Sequence, residues 1–340
     1  MDFSLFYFAD DAGIRRDRYR LLLEGAKFAD DHGFSAVWTP ERHFASFGGA
    51  YPNPAVAGAA VAAVTTRVGI RAGSVVAPLH PPVRIAEEWS VVDNLSGGRA
   101  GVAFASGWHT ADFALRPEAY PSRRQCLADT IETVRRLWRL EHVELVDGAE
   151  KPVRLRIYPP PVRPELPMWL SAAGNIESFR LAGRLGVGVL TTMIGHDSAE
   201  LRTKISAYRA SFTPKHEGAA AHVVVMAHAF LGPDREAVRE IVRDPFIDYL
   251  TKSASLVLRG IELRDLDDED MAFLVTRAFD RYFDTAGLFG TVADGLRTVA
   301  ELDEVGVDEV ACLIDFVDDP DLVLAALPYL DQLRLAWRQR

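Results

Sequence analysis

Short apolar runs alternate with longer stretches in which apolar residues recur every three or four positions. The first run is FSLFYF (3–8). A segment from about Arg18 to His32 follows, with Tyr19, Leu22, Leu23, Ala26 and Ala29 at helical spacing and Gly33 as its stop. The pattern then repeats. Strands are predicted at 35–39, 67–76, 100–106, 167–173, 186–192, 222–230 and 308–315. Helices are predicted at about 54–65, 82–95, 123–139, 177–185, 199–211, after Asp234, near 292–305 and at 321–338. Eight strands separated by helices predict a (β/α)8 TIM barrel, and residues 1–340 form a single domain. Two insertions interrupt the alternation. One lies near 140–165, where VDGAEKPV marks a hairpin turn, and the other near 253–290.

The barrel sorts the polar residues, because catalytic groups gather at the C-terminal ends of such strands. Glu41, Arg42 and His43 follow strand two. Gly73 and Ser74 lie in strand three, with His80 just past it. Ser106, Trp108, His109 and Asp112 follow strand four, and Gly174, Asn175 and Ser178 follow strand five. Of the nine histidines, His43 has the strongest position for proton transfer, with Glu41 able to orient it. SAAGNIES (171–178) passes from a strand to a helix start. Its free backbone N–H groups suit a phosphate, although ordinary helix capping explains the same residues. Small residues at Gly73-Ser74 would admit a flat ring, or would serve layer packing.

Composition narrows the classes. Acidic residues outnumber basic ones, 48 to 38, for a net charge of −10, which argues against nucleic acid as the partner. No apolar run reaches membrane-spanning length and no signal peptide is visible. Two distant cysteines fit a cytoplasmic protein with reduced thiols. The phosphate loop, the Rossmann glycine motif, the nucleophile elbow and zinc-type spacings are all missing, so no metal is expected. The arginines of DDAGIRRDRYR (10–20) form a basic patch on the catalytic rim, able to meet an acidic partner or to be a solvated helix start.

Several of these stretches together resemble the luciferase-like flavin monooxygenases, the bacterial luciferase family. They are AVWTPERHF, VVAPLHPPVRIAEEWSVVDNLSGGR, SGWHTADF and GVDEVACLIDF. AAGNIESFRLAGRLG and CLIDF are similar to a branch found in polyketide and nonribosomal peptide biosynthesis. The resemblance implies a two-component monooxygenase. Reduced FMN, delivered by a separate NAD(P)H:flavin reductase, would react with O2 to a C4a-(hydro)peroxyflavin. One oxygen would then enter a small-molecule or carrier-protein-bound intermediate.

By position, the resemblance assigns the flavin ring to Gly73, Ser74, Ser106, Trp108 and His109, with an unusual peptide geometry at Gly73-Ser74. The phosphate goes to Gly174, Asn175 and Ser178. His43 falls at the reactive edge, with Glu41, Arg42 and His109 as the other catalytic candidates. Phe6, Phe8, Trp38, Phe104 and Met193 would give an apolar pocket that excludes water. A homodimer through helices two and three is implied as well. Two positions depart from luciferase proper. Arg42 stands where it has a catalytic histidine, and Ser106 where it has a phosphate-binding arginine. The alternatives are an F420-dependent oxidoreductase on the same fold and a non-catalytic flavin-binding partner subunit.

Overall fold

The computed structural model describes residues 1–8, 16–195, 197–253 and 268–340, leaving aside the side chains of 268–273. The elements begin with β1 (Asp2–Phe6), α1 (Arg20–His32), β2 (Ala36–Thr39), α2 (Pro54–Val64), β3 (Gly69–Val76), α3 (Pro82–Ser96), β4 (Ala100–Ala105) and α4 (Cys126–Trp138). They continue with β5 (Val143–Val146), β6 (Pro152–Leu155), β7 (Met168–Ser171), α5 (Ile176–Leu185), β8 (Gly188–Thr192), α6 (Ser198–Ser211), β9 (Val223–Leu231) and α7 (Arg235–Lys252). The last are α8 (Asp268–Thr285), β10 (Leu288–Gly290), α9 (Val292–Glu304), β11 (Glu309–Leu313) and α10 (Pro320–Arg338).

Eight parallel strands run in the order β1-β2-β3-β4-β7-β8-β9-β11. They close because β11 pairs with both β9 and β1. The result is a (β/α)8 barrel. β5 and β6 form an antiparallel hairpin within the first insertion. In the second insertion, 254–267 lie outside the described residues, and β10 pairs with the last three residues of β9. No helix among the described residues is long and apolar enough to cross a membrane.

β1 ends before the predicted Phe8. The Phe8 backbone N–H turns instead to the Asp315 carboxylate, at 2.7 Å. α1 closes at Gly33, whose φ of 74° is the left-handed conformation that glycine takes without a Cβ clash. α2, PAVAGAAVAAV, carries no polar side chain. Asn53 caps it by accepting the N–H groups of Ala55 and Val56. Val56 on α2 and Val91 and Leu95 on α3 point outward and are exposed.

The N-terminal end of the barrel is filled by a paired polar cluster. Arg71 lies between the rings of Trp38 and Trp169, at 4.9 and 4.7 Å from their centroids. Its Nη1 donates to both oxygens of the buried Glu309, at 3.0 and 2.8 Å. The Ser4 hydroxyl also donates to Glu309, and Trp38 Nε1 donates to Ser4 Oγ at 3.0 Å. Burial pushes the Glu309 carboxyl up, but Arg71, His222 and the hydrogen bonds outweigh it and hold it below its ordinary value.

This cluster takes Trp38 out of the expected pocket. Its indole N–H finds its acceptors a layer below Phe6, against which Trp38 stacks at 6.5 Å. Phe104 is also misplaced by the sequence expectation. Gly101, facing Trp169 and Arg71, and Ala105, in the cavity wall, hold the inward positions of β4, so Phe104 points to the helix layer.

Candidate active site

The C-terminal ends of the strands surround a cavity of about 510 Å³. Its floor is Phe6 with Gly73 and Ser74, joined by a cis peptide bond. A Cβ on Gly73 would come within 2.5 Å of the Phe6 ring, so the closeness of strand and ring there requires glycine. Phe8, Phe47 and Tyr249 make one wall, packed edge to face at 5.0 and 4.9 Å between centroids. Met226 and Leu190 add further apolar surface.

The opposite side is polar. Ser106, Trp108, Gly174, Asn175 and Ser178 all line it. Asn175 caps α5 by accepting the Glu177 N–H at 2.9 Å. Arg124 also lines the cavity and makes no ion pair with any described residue. The hydroxyls of Ser171 and Thr191 are buried in this wall without a hydrogen-bond partner among the described residues. Among the described lining residues there is no carboxylate, and no described cluster of His, Cys, Asp or Glu could hold a metal. Sequence reasoning missed Arg124, Phe47 and Tyr249. The doubled Arg123-Arg124 at a helix start was the one available signal. The two aromatics come from a loop and from α7, where nothing in their neighbours marks them.

The TPERHF segment lies behind this wall. Glu41, Arg42, His43 and His109 do not line the cavity, and neither does the buried Met193. Arg42 is buried and spends its charge on Asp112, in the loop after β4, donating from Nη1 at 2.5 and 2.6 Å. Its guanidinium sits 5.6 Å from the centroid of the Trp108 ring. Glu41 ties β2 to β3, with Oε2 accepting the Val76 N–H at 2.6 Å and Oε1 facing His43 and His80. Burial raises the Glu41 carboxyl, but the hydrogen bonds from His43 and His80 bring it below its ordinary value. His109 is lowered by burial and by Arg42, with Asp112 pulling the other way. The segment's charges therefore brace the loops that carry Trp108 and the end of β3.

A closed parallel barrel with a cavity at its C-terminal mouth defines a TIM-barrel enzyme. Residues 1–309 match the luciferase-like monooxygenase family, and the chain belongs to it, an oxidoreductase family. A relative from Acinetobacter baylyi, the oxygenase component of a flavin-dependent trigonelline monooxygenase, is 24% identical over 93% of this chain and 89% of its own length. Among solved structures, the monooxygenase RslO1 of Streptomyces bottropensis superposes with a TM-score of 0.78, at 21% identity, covering 99% of this chain and all of its own. The oxygenating constituent of the Pseudomonas putida 3,6-diketocamphane monooxygenase, solved with FMN, gives 0.74 at 15% identity, over 98% and 97%. An F420-dependent secondary alcohol dehydrogenase gives 0.69 at 16% identity, over 98% of each chain.

Proposed function

We propose that the chain is the oxygenase component of a two-component monooxygenase that uses reduced FMN, made by a separate NAD(P)H:flavin reductase, and O2. One observation carries this. Among the described residues, the cavity divides into an apolar aromatic half and a polar half that holds an arginine outside any ion pair, a helix N-terminus and two unpartnered hydroxyls, with no carboxylate. A phosphorylated flavin has that division, a flat ring and an anionic tail. Arg124, Asn175 and Ser178 would hold the phosphate, Ser171 and Thr191 would donate to the polar tail, and Gly73-Ser74 over Phe6 would support the ring. Bound there, reduced FMN supplies the activation of O2. The protein's own part is to keep water out with Phe8, Phe47, Tyr249 and Met226, and to hold a proton acceptor, His43, in the loop behind the polar wall.

The same aromatic wall suits a flat, apolar substrate, as an aromatic natural-product intermediate would present, either free or carried on a protein. Of the rim arginines, Arg15 lies outside the described residues and Arg20 is tied to Asp321. The bare α2–α3 face, with Val56, Val91 and Leu95 exposed, supports a homodimer through these helices.

Anaerobic titration with FMNH2, followed by O2, tests the reading. Saturable FMNH2 binding and O2 consumption with peroxide release in the absence of substrate are expected. Arg124→Ala should weaken FMNH2 binding roughly 10- to 100-fold, the range of a charge-assisted hydrogen bond. The likeness to an F420-dependent dehydrogenase favours a second reading, hydride transfer without O2. Tight F420 binding with no O2 consumption would favour it over ours.

A further inference from the structure

Glu41 holds two imidazoles on a single oxygen. Its Oε1 is 2.9 Å from Nε2 of His43 and 2.5 Å from Nε2 of His80. The Glu41 side chain is almost wholly enclosed, at 1% exposure, while those of His43 and His80 are 12% and 27% exposed. An ionised carboxylate only accepts, so both Nε2 atoms carry hydrogen and Nδ1 is the basic nitrogen of each neutral ring. His80 does not line the large cavity. It borders a separate hollow with Asn53, Pro54, Glu88 and Trp89.

We propose that His80 is a positioning residue that sets the basicity of His43 by competing with it for the same oxygen of Glu41. The charged groups facing the pair are few. His80 meets Glu41, Glu88 and Arg116. The His43 ring meets Glu41 and packs against Phe44. Arg42, next to both in the chain, is neutralised by Asp112. One carboxylate can compensate one imidazolium well and two poorly, so a proton on either ring disfavours a proton on the other. Glu41 lifts His80 above the ordinary histidine value against the opposing effect of burial. A charged His80 therefore lies against the oxygen that His43 also uses. That charge opposes a proton on His43, whose Nδ1 is the nitrogen left free to accept. What His43 does with that basicity rests on the proposed function; the coupling is a property of the three side chains.

The test uses the full chain without flavin, labelled with 15N-histidine and followed by NMR as pH is varied, with His43→Gln to assign the signals. In His80→Gln, which keeps a donor to Glu41 but cannot be charged, the His43 titration should move up by about one pH unit. In Glu41→Gln it should move down. Coupling between two proton sites is reciprocal, so in His43→Gln the His80 titration should rise by the same amount. That arm stands even if His80→Gln does not fold. Rescue of the wild-type His43 titration by no variant other than a protonatable one at position 80 completes the case. An unmoved His43 titration in a folded His80→Gln protein, or an unmoved His80 titration in His43→Gln, overturns the proposal. Neither readout involves flavin, so this failure is distinct from a failure to bind FMNH2.

Discussion

At the N-terminal end of the barrel, Arg71, Glu309, Ser4, Trp38, Trp169 and His222 form a buried polar cluster in which every member has a partner. At the C-terminal end, the Ser171 and Thr191 hydroxyls, Arg42 Nε, His109 Nδ1 and His228 Nε2 are buried without one among the described residues. An orphaned buried polar group costs about 1–3 kcal/mol. Among the described residues the fold thus pairs the polar side chains of this cluster and leaves two hydroxyls of the cavity wall open. The paired cluster adds stability, and the open hydroxyls cost it.

The largest effect separating the two ends should come from Arg71→Met. It leaves Glu309 charged, buried and uncompensated, and unfolding in urea should show a loss of roughly 3–5 kcal/mol. FMNH2 affinity of the folded fraction should hold. A loss below about 1 kcal/mol would mean that Trp38, Trp169 and the hydrogen bonds carry the cluster without the ion pair, and the contrast between the ends would collapse.

The open end should respond the other way. Ser171→Ala combined with Thr191→Val removes two unpartnered hydroxyls at nearly constant shape. Stability should stay the same or rise by up to about 1 kcal/mol, while FMNH2 binding weakens about 3- to 10-fold. Calorimetric melting and anaerobic titration on the same samples measure both. Destabilisation with unchanged binding would show that these hydroxyls serve the barrel and not a ligand.

The barrel itself was the more legible in sequence. Strand and helix alternate through the apolar period alone, so β1 to β4, β7 to β9 and β11 could be placed within a few residues. Gly73-Ser74, Ser106, Trp108 and the Asn175 cap could be placed because strand ends and helix starts fix position without knowledge of side-chain contacts. What failed was what depends on partners. Trp38 has the same apolar look as a pocket aromatic, and only Ser4 and Glu309, far away in the chain, decide that it belongs below the cavity. Arg42 looked like a reactive-edge cation until Asp112, brought in from the loop after β4, claimed it. Phe47 and Tyr249 join one wall from segments some two hundred residues apart, and no local period encodes that meeting.

The smallest expected effect sharpens the comparison through pH. Glu309 at the closed end and Glu41 at the open end are both held below their ordinary values. Each contributes stability that is present above the unfolded carboxylate pKa of 4.5 and is lost as pH falls through its folded value. Both ends should therefore weaken in acid. The open end also carries a group of opposite sign. His80 is raised above 6.5, so the folded state binds its proton more tightly than the unfolded chain does. Its contribution is fully present below pH 6.5 and is lost as pH rises through the folded value. His80 is partly exposed, so solvent screening limits the size to about 0.2–1 kcal/mol. Urea midpoints at pH 6 and pH 8.5 should show wild type losing this increment and His80→Gln lacking it. His109, His222 and His228, all lowered by burial, add stability in the opposite direction, but they are common to both proteins and cancel in the difference. A difference that grows with rising pH would reverse the sign and detach His80 from Glu41.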